Sequence, residues 1–178
     1  MKKSSRGFSL IELLIVVAII LIIAAIAIPD LLKSRQAANQ ASAVGSLRTT
    51  NTSEVAYSTT YTTGFSVDLQ SLDGAAGAAA TNVAAGLIDS ILGSGIKSNY
   101  NFIYTSNPAA PGAAACVAAP VALGAATAPA AGVTYATYEL SANPLGCASG
   151  NYYFTDMSGV IRMNNTAAAS PSDSPLAG

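Results

Sequence analysis

The sequence contains no histidine and no tryptophan, and only 10% of its 178 residues are charged. A catalytic site needs a base, or a nucleophile held next to one. With histidine absent the remaining acids are scattered, and no serine sits in a Gly-x-Ser-x-Gly turn. Gly93-Ser94-Gly95 lacks the following Lys and Ser or Thr of a phosphate-binding loop. The chain therefore reads as a non-enzyme with no cofactor. Asp68, Asp73 and Asp89 do not match the spacing of a calcium loop such as the EF-hand, so they read as solvated acids and no metal is expected. The formal net charge of −1 offers no basic patch for nucleic acid. A freely diffusing monomer normally carries more surface charge than this. The abundant Ala, Gly, Ser and Thr lose little entropy on ordering and allow close approach, which suits a protein packed against copies of itself.

What is present is concentrated at the start. Residues 8–28 form an apolar run of about 21 residues, long enough as a helix of ~1.5 Å rise per residue to cross a bilayer core of ~30 Å. Its one charge is Glu12. A carboxylate in such a helix costs on the order of 2.5–3.5 kcal/mol at the centre and less near an end, so it asks for a partner. No Lys or Arg lies between Gly7 and Lys33 to serve in cis. Lys2, Lys3 and Arg6 precede the run and keep that end cytoplasmic by the positive-inside rule. The two cysteines, Cys116 and Cys147, then lie on the extracytoplasmic side, where an even count favours a disulfide. The closed loop would stabilise the fold by roughly 3–4 kcal/mol on the chain-entropy model.

A short basic leader ending in Gly7, an aromatic Phe8, then Ser9-Leu10-Ile11-Glu12 and a long apolar helix resemble the class III signal of type IV prepilins and type II secretion pseudopilins. The resemblance implies that a prepilin peptidase cuts between Gly7 and Phe8 and N-methylates Phe8. It also implies that Glu12 of one subunit compensates the Phe8 amine of a neighbour, which would offset both charges and set the register of a filament. Pro29 fits the family too, as a place where the helix can lose hydrogen bonding during assembly. Removing Lys2, Lys3 and Arg6 from the 8 basic residues leaves 5 against 9 acidic ones. An ordinary secretory signal with Ala25-Ile26-Ala27 as its cleavage site explains the segment less well: the run exceeds the usual ~7–15 apolar residues and Glu12 has no purpose there. A plain membrane anchor leaves Gly7, Phe8 and Glu12 as coincidences.

Along the chain, the reading is an α+β type IV pilin fold. Residues 1–7 are the leader, 8–28 the membrane-spanning polymerisation helix, 29–58 its amphipathic continuation, and 59–178 a globular head. One helix of about 50 residues is expected from Phe8, with Leu31, Ala38, Ala41, Val44, Leu47, Asn51 and Val55 sharing its inward face. Residues 59–98 read as a connection with little strand content, a turn at 61–65, a small-residue linker at 74–80 and a short helix over 84–92 stopped by Gly93 and Gly95. Strands are expected at 99–106, 133–141, 152–155 and 160–163, giving an antiparallel sheet of three to four strands, with turns at 143–147 and 156–159. Residues 107–132, rich in Pro and Ala, read as an irregular excursion, and the tail from Asn164 as loosely held. Tyr57, Tyr61, Tyr100, Tyr104, Tyr152 and Tyr153 suggest ligand stacking or electron transfer, but their spacing fits core packing better. Asn51 and Asn164 match the weak N-x-[ST] acceptor pattern.

By this resemblance the chain is a major pilin forming an extracellular filament for adhesion or motility-type roles. Its partners would be identical subunits, the prepilin peptidase and methyltransferase, an assembly platform with minor pilins, and the inner membrane before assembly. Two alternatives stand beside it. One is a pseudopilin of a type II secretion system, although major pseudopilins usually lack the disulfide and tend to carry a calcium-binding loop. The other is a membrane-anchored periplasmic binding domain that does not polymerise.

Overall fold

The computed structural model describes residues 8–74, 79–107, 115–116, 123–147 and 150–176. The leader, including Gly7, most of the 74–80 linker and much of the 107–132 excursion fall outside them. The chain divides into two compact units, Met1–Ala38 and Asn39–Gly178.

A single helix, α1, spans Leu10–Thr60, 51 residues with Pro29 inside. Its first part is built from Leu, Ile, Val and Ala, and every large apolar side chain from Phe8 to Leu32 is exposed. Within the second unit α1 covers a five-stranded antiparallel sheet in the order β1 (Ile96–Lys97), β2 (Tyr100–Ser106), β3 (Tyr138–Pro144), β4 (Tyr152–Asp156) and β5 (Arg162–Asn164). Leu47, Tyr57, Phe102, Leu140 and Tyr153 form the core between them. A smaller cluster of Tyr152, Phe154 and Ala169 has the half-buried Cys116 against it. Both faces of the central strand are covered, and all of β3 is buried.

The fold corrects several expectations. The sheet has five strands, because Ser98 and Asn99, at φ 50° and 63°, turn the chain back and pair Lys97 with Tyr100. Positive φ at both central residues is the two-residue hairpin geometry usually signalled by Asn-Gly, which this sequence does not display. The inward face of α1 is Ala43, Ser46, Leu47, Thr50, Ser53, Glu54 and Tyr57. Of the residues expected there, Leu47 is buried, Val44 and Asn51 are half-buried, and Leu31, Ala38, Ala41 and Val55 are exposed. Hydrogen bonds let polar side chains occupy this face: the Thr50 hydroxyl donates to the Ser46 carbonyl at 3.0 Å and Ser53 to that of Leu87 at 3.0 Å.

The helix expected over 84–92 shrinks to α3 (Ser90–Gly93), and an unexpected turn of helix, α2 (Leu69–Leu72), precedes it. The amides of Ala85, Gly86, Leu87 and Ile88 donate to the carbonyls of Ser71, Asp73 and Leu72, so they are not available for helix. Strand β3 begins at Tyr138 rather than Val133, because Tyr135 pairs with the loop after α1: its amide donates to Thr63 and its carbonyl accepts from Phe65. A Cβ on Gly64, at φ 84°, would collide with that Tyr135 carbonyl, so only glycine fits this crossing. Asn143 and Pro144 lie in β3, not in a turn, and a 3-10 turn (Leu145–Cys147) follows. The last hairpin keeps its turn, with the Gly159 amide on the Asp156 carbonyl at 2.9 Å, but β5 starts at Arg162 instead of Val160. The tail is held: Leu176 N–H donates to Ile161 at 2.7 Å, Met163 N–H to Ser174, and Ala169 is fully buried.

Candidate functional site

The first candidate is the start of α1. Ser9 precedes the first helical residue, and its backbone N–H donates to Glu12 Oε2 at 2.9 Å. The Leu13 amide closes the first turn onto the Ser9 carbonyl at 3.2 Å. Ser9-x-x-Glu12 thus behaves as one arm of a capping box, in which a carboxylate at the third helical position satisfies an orphan amide of the N-terminus. The negative charge also sits where the helix dipole favours it. So Glu12 has a partner in its own chain after all, a backbone amide rather than the Lys or Arg sought in the sequence. Phe8 and Glu12 are both exposed, and Gly7 lies outside the described residues. Pro29 sits within the helix and supplies no amide, which leaves the Ala25 carbonyl without its usual intrahelical donor. By length and composition α1 can cross a membrane, and none of its apolar window is buried.

The head holds a second polar centre that the sequence reading missed. Glu54 is completely buried; Ser66 donates to it twice, from its backbone N–H at 3.0 Å and from its hydroxyl at 2.5 Å. Tyr104 donates to the Ser66 carbonyl at 3.0 Å and stacks on Tyr138, ring centres 5.8 Å apart. Burial pushes the Glu54 carboxyl above the ordinary carboxylate range, against the lowering effect of the Ser66 bonds. The signal was present in the spacing: Leu47, Thr50, Glu54 and Tyr57 follow one another at steps of three and four, placing the acid on the same face as two core residues.

The remaining sequence candidates have structural roles. Cys116 and Cys147 form a disulfide, Cα atoms 5.7 Å apart. Asp68 caps α2 through the Ser71 amide, and Asp89 caps α3 through Leu92 and pairs with Lys97 at 2.7 Å. Asp73 accepts from Gly74 N–H. Among the described residues no group of three His, Cys, Asp or Glu stands together. The Asn51 amide reaches Thr155 and Gly159, while its oxygen accepts from Tyr138. Asn164 is likewise engaged, with Asp173 and Thr166. The tyrosines are core and sheet-packing residues: Tyr57 and Tyr61 lie 4.6 Å apart, Tyr100 and Tyr153 6.0 Å, and the hydroxyls of Tyr57 and Tyr100 donate to the Asn82 and Asn151 carbonyls.

Comparison with known proteins bears on the first centre. Residues 2–28 match the model of the prokaryotic N-terminal methylation motif. Over 37 residues the chain is 60% identical to the "Type IV wide pilus major component PilA4" of Thermus thermophilus. This N-terminal segment is similar to that of type IV pilins. The match covers 21% of this chain and 28% of that relative. No solved structure matches the chain. Members of the family are typically non-enzymatic structural proteins, and the signal and apolar helix suit a membrane location followed by a pilus.

Proposed function

We propose that this chain is a structural subunit, and not an enzyme: a major type IV pilin. It is held in the inner membrane with its N-terminus cytoplasmic, cut between Gly7 and Phe8, and N-methylated on Phe8. It then polymerises non-covalently into an extracellular helical filament. The observation that supports this most is the uncovered apolar surface of α1 from Phe8 to Leu32 directly behind a methylation motif. In water that surface is strongly unfavourable at about 25 cal/mol per Å², whereas lipid or the same surface of neighbours removes the cost.

Assembly moves the helix from lipid to neighbouring subunits, and Glu12 pairs with the Phe8 amine of the next subunit. A slipped neighbour would leave both charges unpaired, so the pair selects the register. Pro29 gives the helix a site where hydrogen bonding loosens during that transfer. The sheet and the Cys116–Cys147 loop decorate the outside. Its partners are copies of itself, a prepilin peptidase, an assembly platform and minor pilins.

The test is to shear cells expressing the chain, image the sheared fraction by electron microscopy, and determine the N-terminus of its main protein by mass spectrometry. Fibres of a chain beginning at methylated Phe8 are expected. A processed chain confined to the inner membrane would move the reading to a pseudopilin or minor subunit. An unprocessed chain beginning at Met1 would sink it in favour of an anchored domain.

A further inference from the structure

Two cations stand just past the end of the membrane-length run. Residues 13–28 carry no charge, and the next basic side chains along α1 are Lys33 and Arg35, with Arg48 the one after. Both are exposed, and neither is ion-paired among the described residues. Asp30, one turn before Lys33, balances at most one of the two charges. Helix α1 is continuous across this boundary, so at ~1.5 Å of rise per residue Lys33 lies about 7 Å and Arg35 about 10 Å beyond Ile28 along the axis. The headgroup layer on each side of a bilayer's hydrocarbon core is about 5–7 Å thick. In a helix the Cα–Cβ bonds lean toward the N-terminus, here toward the bilayer, and the long apolar stems of Lys and Arg let their charged heads settle at that layer.

Their placement around the helix bears on the partner. A step of two residues turns a helix by about 200°, so Lys33 and Arg35 stand on nearly opposite sides of α1. One flat protein surface cannot meet both, whereas headgroups surround a single spanning helix on every side. A phosphate accepts charge-assisted hydrogen bonds from either cation, and in bidentate form from Arg. The other basic residues near the span, Lys2, Lys3 and Arg6, precede it in the leader, and a cut before Phe8 removes all three.

We propose that Lys33 and Arg35 hold the phosphates of anionic phospholipids in the extracytoplasmic leaflet, and that leader cleavage leaves this pair as the chain's basic grip on the bilayer. Before the cut, cations flank the span on both sides; after it, the basic side chains within reach of headgroups lie on the side from which a fibre would grow. The assignment rests on the reading that the chain spans the inner membrane and is trimmed after Gly7, and adds to it which leaflet holds the processed chain until assembly.

The test uses the full processed chain, beginning at Phe8, reconstituted into phosphatidylcholine vesicles that contain a trace of spin-labelled phosphatidylglycerol or spin-labelled phosphatidylcholine. Electron paramagnetic resonance reads the share of each label immobilised at the protein. Phosphatidylglycerol should be preferred about fivefold or more at low salt, since each basic residue near an anionic surface contributes about a factor of five. The preference should fall toward unity in ~1 M salt, where charges are screened beyond ~3 Å. Lys33→Gln combined with Arg35→Gln should abolish it, whereas Arg48→Gln, about 30 Å beyond Ile28 along the axis, should leave it unchanged, with the Cys116–Cys147 disulfide formed in every variant. Equal preference for the two lipids in the parent, a preference that the double variant keeps, or one that Arg48→Gln abolishes as fully would each overturn the headgroup contact. A double variant that keeps the preference but no longer enters fibres in cells would also assign the pair to an acidic protein partner. The vesicle measurement does not depend on fibres: the expected preference in a chain that forms none overturns the fibre reading alone, and equal preference in a chain that forms them overturns the headgroup contact alone.

Discussion

Replacing Glu54 by Gln and by Leu separates two effects that burial normally combines. In the folded head the Glu54 carboxyl has no exposed surface, and its partners are the Ser66 amide and hydroxyl. Leucine removes both acceptors. The hydroxyl can fall back on the Tyr104 hydroxyl, 3.0 Å away, but the buried amide cannot, and an orphaned buried donor costs about 1–3 kcal/mol. Glutamine keeps an oxygen for the amide and turns its NH₂ toward the Ser66 hydroxyl, so at low pH it should match the parent to within about 1 kcal/mol.

The pH dependence follows from the raised carboxyl. A group whose folded pKa lies above its unfolded value stabilises the fold below the unfolded pKa, and this contribution is lost as pH rises through the folded pKa. The parent should therefore weaken relative to Glu54→Gln as pH increases above the ordinary carboxylate range, with a limiting slope of about 1.4 kcal/mol per pH unit for one proton. The assay is thermal unfolding of the detergent-solubilised chain from acid to mildly alkaline pH. Near-ultraviolet dichroism of the tyrosines reports the head and not the detergent-bound helix. A parent-minus-Gln difference that does not change with pH, or a Gln variant as unstable as Leu, would refute the reasoning.

Three further outcomes are expected. Cys147→Ser opens a loop with a sequence separation of 31 and should lower head stability by about 3–4 kcal/mol, read as the difference between its thermal unfolding and that of the parent. Gly64→Ala places a methyl against the Tyr135 carbonyl at a φ of 84°, so it should cost about 1–3 kcal/mol and disturb the Phe65–Tyr135 pairing, visible as faster exchange of the Phe65 amide. Glu12→Ala should leave the chain in the membrane fraction but remove it from sheared fibres, as measured by quantitative immunoblotting of the two fractions; unchanged incorporation would rule out the register role.

Some of this protein was determined by short-range information. An uninterrupted apolar run behind Ser9-x-x-Glu12 specifies a helix with a capped start, and a basic leader ending in Gly7 before Phe8 is a linear signal that needs no fold to be recognised. Asp156 and Gly159 close a tight turn from their own chemistry. The alternation in residues 99–106 marked a strand correctly, because a side-chain period of two survives whatever the strand pairs with.

Tertiary structure decided the rest. Which stripe of α1 turns inward depended on partners distant in sequence: Ser66 and Leu87 satisfy Glu54 and Ser53, so polar residues could occupy core positions while Val55 remained outside. The 84–92 segment has helical spacing, but its amides are claimed by the end of α2. Likewise 133–137 is extended and apolar enough for the sheet, yet it pairs with the loop at Gly64, and the polar tail is ordered because Ile161 and Met163 offer it backbone partners. A periodicity fixes which residues share a face, but hydrogen bonds between distant segments fix which face is buried, and those bonds exist only once the chain has closed on itself.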